Sequence, residues 1–66
     1  GKPNLGVGKY CYIEKTILDK NCQIGDNVRI IGGKHLPDSD HPTYSIKDGI
    51  VVVKKNAVIQ PGTIIP

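Results

Sequence analysis

The stretch VGKYCYIEKTILDKNCQIGDNVRI, residues 7–30, decides the fold. Its aliphatics fall at Val7, Ile13, Leu18, Ile24 and Ile30, in steps of 6, 5, 6 and 6 residues. The beat resumes after an interruption at Val53, Ile59 and Ile65. A helix repeats at about 3.6 residues and a strand at about 2, so neither produces this pattern. A six-residue beat is a signature of a parallel β-helix, in which three short faces make one coil of about 18 residues. The expected fold class is therefore all-β: a single-stranded parallel β-helix of about two and a half coils with one protruding loop. Spacing does not give the hand of the coil, and right-handed crossovers are the general rule.

Aligned on the beat, the units read VGKYCY, IEKTI, LDKNCQ and IGDNVR, then VKKNAV and IQPGTI. The first position of each is a branched aliphatic expected to point inward. The fifth is apolar or small (Cys11, Ile17, Cys22, Val28, Ala57, Thr63), which suits a narrow interior near a prism corner. The fourth is often Asn or Gly: Asn21, Asn27, Asn56 and Gly62. These residues tolerate the left-handed backbone that a tight corner needs. Tyr10 and Thr16 hold that slot in the first two units.

Residues 1–6 read as a lead-in and residues 7–66 as the β-helix. The repeat breaks at Gly32-Gly33, and KHLPDSDHPTYS (34–45) is polar, has two prolines and lacks a period. Residues 32–45 are expected to form a loop leaving the solenoid. Asp48-Gly49 is a turn signal, and the β-branched run Ile50–Val53 is expected to re-enter the core.

Sixty-six residues bound the chain to one domain, marginal in size. Cys11 and Cys22 lack zinc-finger spacing and cannot make a disulfide framework, so both are expected as reduced, buried thiols in a reducing compartment. Within these residues no apolar run reaches membrane-spanning length, and no signal peptide is expected among them. The chain opens on Gly1 rather than Met, and the expectation is a processed chain or part of something longer. The net charge of +3 is spread along the sequence, with only Lys54 and Lys55 adjacent. Without a basic run, Trp or Phe, nucleic acid is not an expected partner.

No self-contained active site emerges. LGVGK (5–9) lacks the pattern that flanks a phosphate loop. His35 and His41 raise the possibility of the base of a hexapeptide-repeat acyltransferase, but both lie in a polar, Pro-containing segment and read as surface histidines. Two histidines do not make the three-histidine zinc site of some trimeric β-helices. Asp38, Asp40 and Asp48 have no EF-hand spacing, and Asp38 and Asp40 read as turn residues.

The segments LDKNCQIGDNVRI (18–30) and IKDGIVVVKKNAVIQPGTII (46–65), in this order around a variable loop, resemble the C-terminal domain of glucose-1-phosphate adenylyltransferase (ADP-glucose pyrophosphorylase). The hexapeptide beat is shared by many transferases; the paired segments are far more specific. The resemblance implies a left-handed parallel β-helix, an exception to the crossover rule. It also implies a catalytic nucleotidyltransferase domain upstream, where ATP and glucose 1-phosphate become ADP-glucose and pyrophosphate with magnesium, for glycogen or starch synthesis. On this reading the fragment is non-catalytic and carries no cofactor. It supports a homo- or hetero-oligomer, expected to be a tetramer, and binds phosphorylated sugar effectors. It belongs in bacterial cytoplasm or plastid stroma.

Two effector-binding lysines carry over from the family's motifs: Lys20 of the DKN segment and Lys55 before Asn56-Ala57. A phosphate dianion favours two ammonium groups converging from adjacent coils. Lys54 is a weaker candidate, because that family position is often apolar. Gln23 stands where many members have Arg, and Arg29 is a candidate to replace its charge. The loop KHLPDSDHPTY also departs from the plant-type pattern. Three competitors remain. They are the β-helix of another sugar-phosphate nucleotidyltransferase (for example a mannose-1-phosphate guanylyltransferase), an acetyl-CoA-dependent hexapeptide acyltransferase, and a bare scaffold whose end coils pair with other chains.

Overall fold

A computed structural model describes residues 6–66, and within them every regular element is a strand. Residues 1–5 of the lead-in lie outside the described residues, and Gly6 already belongs to the first strand. The chain winds through three parallel ladders. The first coil contributes β1 (Gly6–Val7), β2 (Tyr12–Glu14) and β3 (Thr16–Leu18). Below them lie β4 (Gln23–Ile24) and β5 (Arg29–Ile31). The insert supplies β6 (Ser39–Asp40) and β7 (Tyr44–Lys47), and the coil resumes at β8 (Ile50–Val53). The chain then continues through β9 (Val58–Ile59) and β10 (Ile64–Ile65). The sheets run β1-β4-β9, β2-β5-β10 and β3-β8-β7-β6.

The aliphatic beat is the interior. Ile24, Ile30, Val53, Ile59 and Ile65 are buried, joined by Cys22, Val28, Ile46, Val51 and Ala57. Ile13, Leu18 and Cys11 belong to the first coil and are only partly buried, and Val7 is half exposed, because no described residue stacks above that rung.

Each corner turns on a residue with left-handed backbone. Asn21, Asn27, Asn56 and Gly62 have φ of 58°, 59°, 62° and 77°, and Tyr10 joins them at 60°. The second unit departs from the expected alignment. It is one residue short, and the left-handed position falls on Lys15 (φ 49°) rather than Thr16. Thr16 instead donates its hydroxyl to the Glu14 carbonyl at 2.7 Å. The deletion shifts Ile17 out of the inward slot into the outward row opposite Val52, where it is 57% exposed. A one-residue shift along a strand moves a side chain to the opposite face. Stacked corners also approach closely: a Cβ on Gly25 would sit 2.5 Å from the Pro61 nitrogen.

The segment 32–45 is more ordered than a plain loop. It contains β6 and leads into β7, which runs antiparallel along the second edge of β8, pairing Tyr44 with Val53 and Ile46 with Val51. The hairpin thus fills a rung of the third sheet from the opposite direction. Ile46 enters the core, with Leu36 and Tyr44 packed against it. Asp38 accepts the Asp48 N–H at 3.0 Å, in keeping with its reading as a turn residue. Asp40 does not behave as one: it lies in β6 and pairs with Lys54 Nζ at 2.8 Å. Lys54 Nζ also donates to the His41 carbonyl, and the Lys54 N–H donates to the Thr43 carbonyl at 2.8 Å. His41 stacks on Tyr44 with ring centroids 4.4 Å apart, and its Nε2 lies 3.0 Å from Ser39 Oγ. The hairpin is therefore clamped to the start of one corner turn.

Asp40 is 79% exposed, so its ion pair is screened by solvent and contributes little stability by itself. The Lys54 hydrogen bond, then its charge, hold the Asp40 carboxyl below its ordinary range. A depressed carboxylate contributes above its unfolded value near about 4 and loses that contribution as pH falls through the lower folded value. An NMR titration should place the Asp40 midpoint below about 3.9, and Lys54→Ala should return it upward. An unchanged midpoint would remove the clamp's ion pair. In urea unfolding, Ile30→Ala should cost about 2–5 kcal/mol. Ile17→Ala should stay within about 0.5 kcal/mol, although the repeat lists Ile17 among the apolar fifth positions.

Candidate functional site

The two candidate lysines meet at the corner that joins the β3-β8 sheet to the β4-β9 sheet. Leu18 pairs with Val53 before the turn and Gln23 with Val58 after it, both with an offset of 35 residues. The same offset places Lys20 in register with Lys55. The turns are bonded to each other: the Asn56 N–H donates to the Lys20 carbonyl at 2.9 Å. Rungs of a β-structure lie about 4.8 Å apart, so two ammonium-bearing chains leave the surface from adjacent levels of one column.

Local chemistry shapes both turns. In the upper one, Asp19 Oδ1 accepts the Lys20 N–H at 2.7 Å, which occupies one carboxylate oxygen with main chain. In the lower one, Ala57 N–H donates to the Lys54 carbonyl at 3.0 Å, and Asn56 supplies the positive φ. Lys55 is the first central residue of that turn. Lys20 and Lys55 are both exposed, and among the described residues neither is ion-paired with a carboxylate. Like charges directly opposite on neighbouring strands repel. An anion between two such ammonium groups would offset that repulsion, which makes the column a candidate anion site.

The other basic candidates go elsewhere. Lys54 spends its ammonium on Asp40 and the His41 carbonyl. Arg29 lies in the β2-β5-β10 sheet, its guanidinium carbon 5.6 Å from the Tyr12 ring centroid. The fold therefore does not bring Arg29 to the lysine corner, and its charge does not replace the arginine absent at Gln23. Tyr12 donates its hydroxyl to Glu14 Oε1 at 2.8 Å, and this bond, with the Glu14 charge, raises the phenol pKa. His35 is exposed, while His41 is partly buried within the hairpin rather than held on the prism. No cluster of three or more metal-ligating side chains occurs among the described residues. No helix there is long and apolar enough to cross a membrane.

What the sequence reading missed is the clamp of Asp40, His41 and Lys54. The alternation of charge in DSDH and KK offers no pairing rule across 14 residues; the contact exists only because β7 folds back onto β8.

Comparison with known proteins agrees with this architecture. Residues 1–64 match the family described as the GLGC left-handed parallel beta-helix domain. The chain is 44% identical over 63 residues to the small subunit of glucose-1-phosphate adenylyltransferase from Zea mays, a match covering 92% of this chain and 50% of that protein. It is 43% identical over 67 residues to the chloroplastic/amyloplastic large subunit 1 from Zea mays, covering 98% of this chain and 13% of that protein. The chain thus spans half the length of the one relative and a smaller part of the other. With three parallel ladders, left-handed corner residues and a family match over nearly its whole length, the chain belongs to the GLGC left-handed parallel β-helix domain family.

Proposed function

We propose that this chain is the C-terminal β-helix domain of a glucose-1-phosphate adenylyltransferase, with assembly and regulatory roles. The observation that carries the regulatory part is the register of Lys20 over Lys55 on adjacent rungs, with no carboxylate ion-paired to either among the described residues. The likeness to a small and a large subunit of that enzyme supports the parent activity.

In this reading the parent joins ATP and glucose 1-phosphate into ADP-glucose and pyrophosphate. Magnesium and ATP serve its catalytic domain, upstream of the β-helix. Lys20 and Lys55 bind the phosphate of a sugar-phosphate effector. As compact point charges they suit a dianion approached from two levels. The domain packs against its own catalytic domain and against other subunits in a homo- or hetero-tetramer. The plastid location in the large-subunit relative's name favours the stroma over a bacterial cytoplasm. The acyltransferase alternative fares worse, because His41 is engaged by Ser39 and Tyr44 inside the hairpin.

The test is ADP-glucose formation by the full-length protein from ATP and glucose 1-phosphate, with and without sugar phosphates. Removing one charge-assisted contact costs about 1.5–3 kcal/mol, so Lys20→Ala and Lys55→Ala should each weaken the effector response by about tenfold or more. The unstimulated rate should persist. An unaltered response would remove the two lysines from regulation, and absence of adenylyl transfer would sink the parent activity.

A further inference from the structure

The clamp and the lysine corner share one residue boundary. Lys54 is the first residue of the turn that carries Lys55 at its centre, closed by the Ala57 N–H on the Lys54 carbonyl. The same Lys54 is held on its other side by three acceptors of the insert: the Thr43 carbonyl on its N–H, and the His41 carbonyl and Asp40 carboxylate on its ammonium. From the turn's second central residue the linkage continues to the level above, since the Asn56 N–H donates to the Lys20 carbonyl. Hydrogen bonds and the short main-chain turn between them therefore link the hairpin, through Lys54, to the turn that carries Lys55 and to the Lys20 carbonyl.

Lys54 is badly placed to be a third ligand. Its ammonium already has a carboxylate and a carbonyl, and its side chain is 37% exposed. By register it stands opposite Asp19, which places a second carboxylate residue beside it at that level. A cation so engaged is a poor phosphate donor and a good anchor.

We propose that Lys54 is a positioning residue: with Asp40 it clamps the β6-β7 hairpin to the Lys54–Ala57 turn and so sets the separation of Lys20 and Lys55 for a phosphate dianion. The proposal rests on the effector reading of those two lysines. It gives the insert a role in effector affinity without any contact with the effector. It also makes two oppositely charged residues act in the same direction. If Lys54 served only as an extra positive charge near the site, neutralising Asp40 would free it and tighten anion binding. If Lys54 positions the turn, neutralising Asp40 loosens the clamp and weakens binding.

The experiment is hydrogen exchange with mass spectrometry on the full-length protein, titrated with inorganic phosphate and read locally in the two turns, 19–22 and 54–57. In wild type, phosphate should slow exchange in both turns, and Lys20→Ala with Lys55→Ala should abolish that effect. Asp40→Asn and Lys54→Ala should each raise the half-saturating phosphate concentration about three- to tenfold, as expected for coupling through a packed network. The double variant should be no worse than the more severe single one, because both break one clamp. Exchange in Ile50–Val53 should remain slow in all three, which separates loosening of the clamp from unfolding. Tighter phosphate binding in Asp40→Asn, or unchanged binding in both single variants, overturns the positioning role while leaving the lysine pair intact. No phosphate effect in wild type overturns the lysine pair itself, and the positioning role with it.

Discussion

Rungs of this solenoid are held by main-chain hydrogen bonds between parallel strands, at a spacing of about 4.8 Å. That ladder leaves no freedom for one rung to slide over the next. Within each pair of neighbouring levels, whatever residue occupies a corner on one stands over its counterpart on the other. Ile13, Ile30 and Ile65 form one such column on the β2-β5-β10 sheet. The buried column excludes water, and the exposed ones put like chemistry side by side. Lys20 over Lys55 is the polar consequence of the same constraint that stacks the isoleucines.

Corners make the ladder possible. A three-sided coil must bend sharply after a few residues, and at each bend one residue takes a left-handed backbone. Asn and Gly are suited to this, whereas Tyr10 and Lys15 adopt it at a steric cost of about 1–2 kcal/mol each. Lys15 accepts that conformation because its unit is one residue shorter than the others. The same shortening turns Ile17 outward and leaves an exposed aliphatic beside Val52.

The insert shows how a solenoid accommodates irregular sequence. After the β5 strand the chain leaves the coil, returns as β7 along the free edge of β8, and then re-enters through β8 itself. Both edges of β8 are thereby paired, which removes an unpaired edge from the third sheet at that level. A polar segment with two prolines contributes Ile46 to the core and Asp40 to the clamp on Lys54. Packing and electrostatics at this end of the molecule thus depend on an element that has no repeat of its own.

The sequence by itself determined the architecture. A six-residue spacing of aliphatics, with Asn or Gly at four of the six fourth positions, admits a three-faced parallel coil and little else, because side-chain direction in a strand follows position alone. Asn21, Asn27 and Asn56 were legible as corners from their tolerance of positive φ, whereas Lys20 and Lys55 became a candidate pair only through the resemblance of the DKN and KKNA segments to the family's motifs. Only the tertiary structure decided how these lysines relate. The offset between stacked rungs is 17 residues where Val7 meets Ile24 and 35 where Leu18 meets Val53, because an insert of unknown path intervenes. The direction of β7, the engagement of Lys54 by Asp40 and His41, and the placement of Arg29 over Tyr12 rather than beside the lysines follow from how the chain closes in space. Contacts of that kind are set by strand pairing across the insert, and pairing energy depends on partners that linear spacing does not identify.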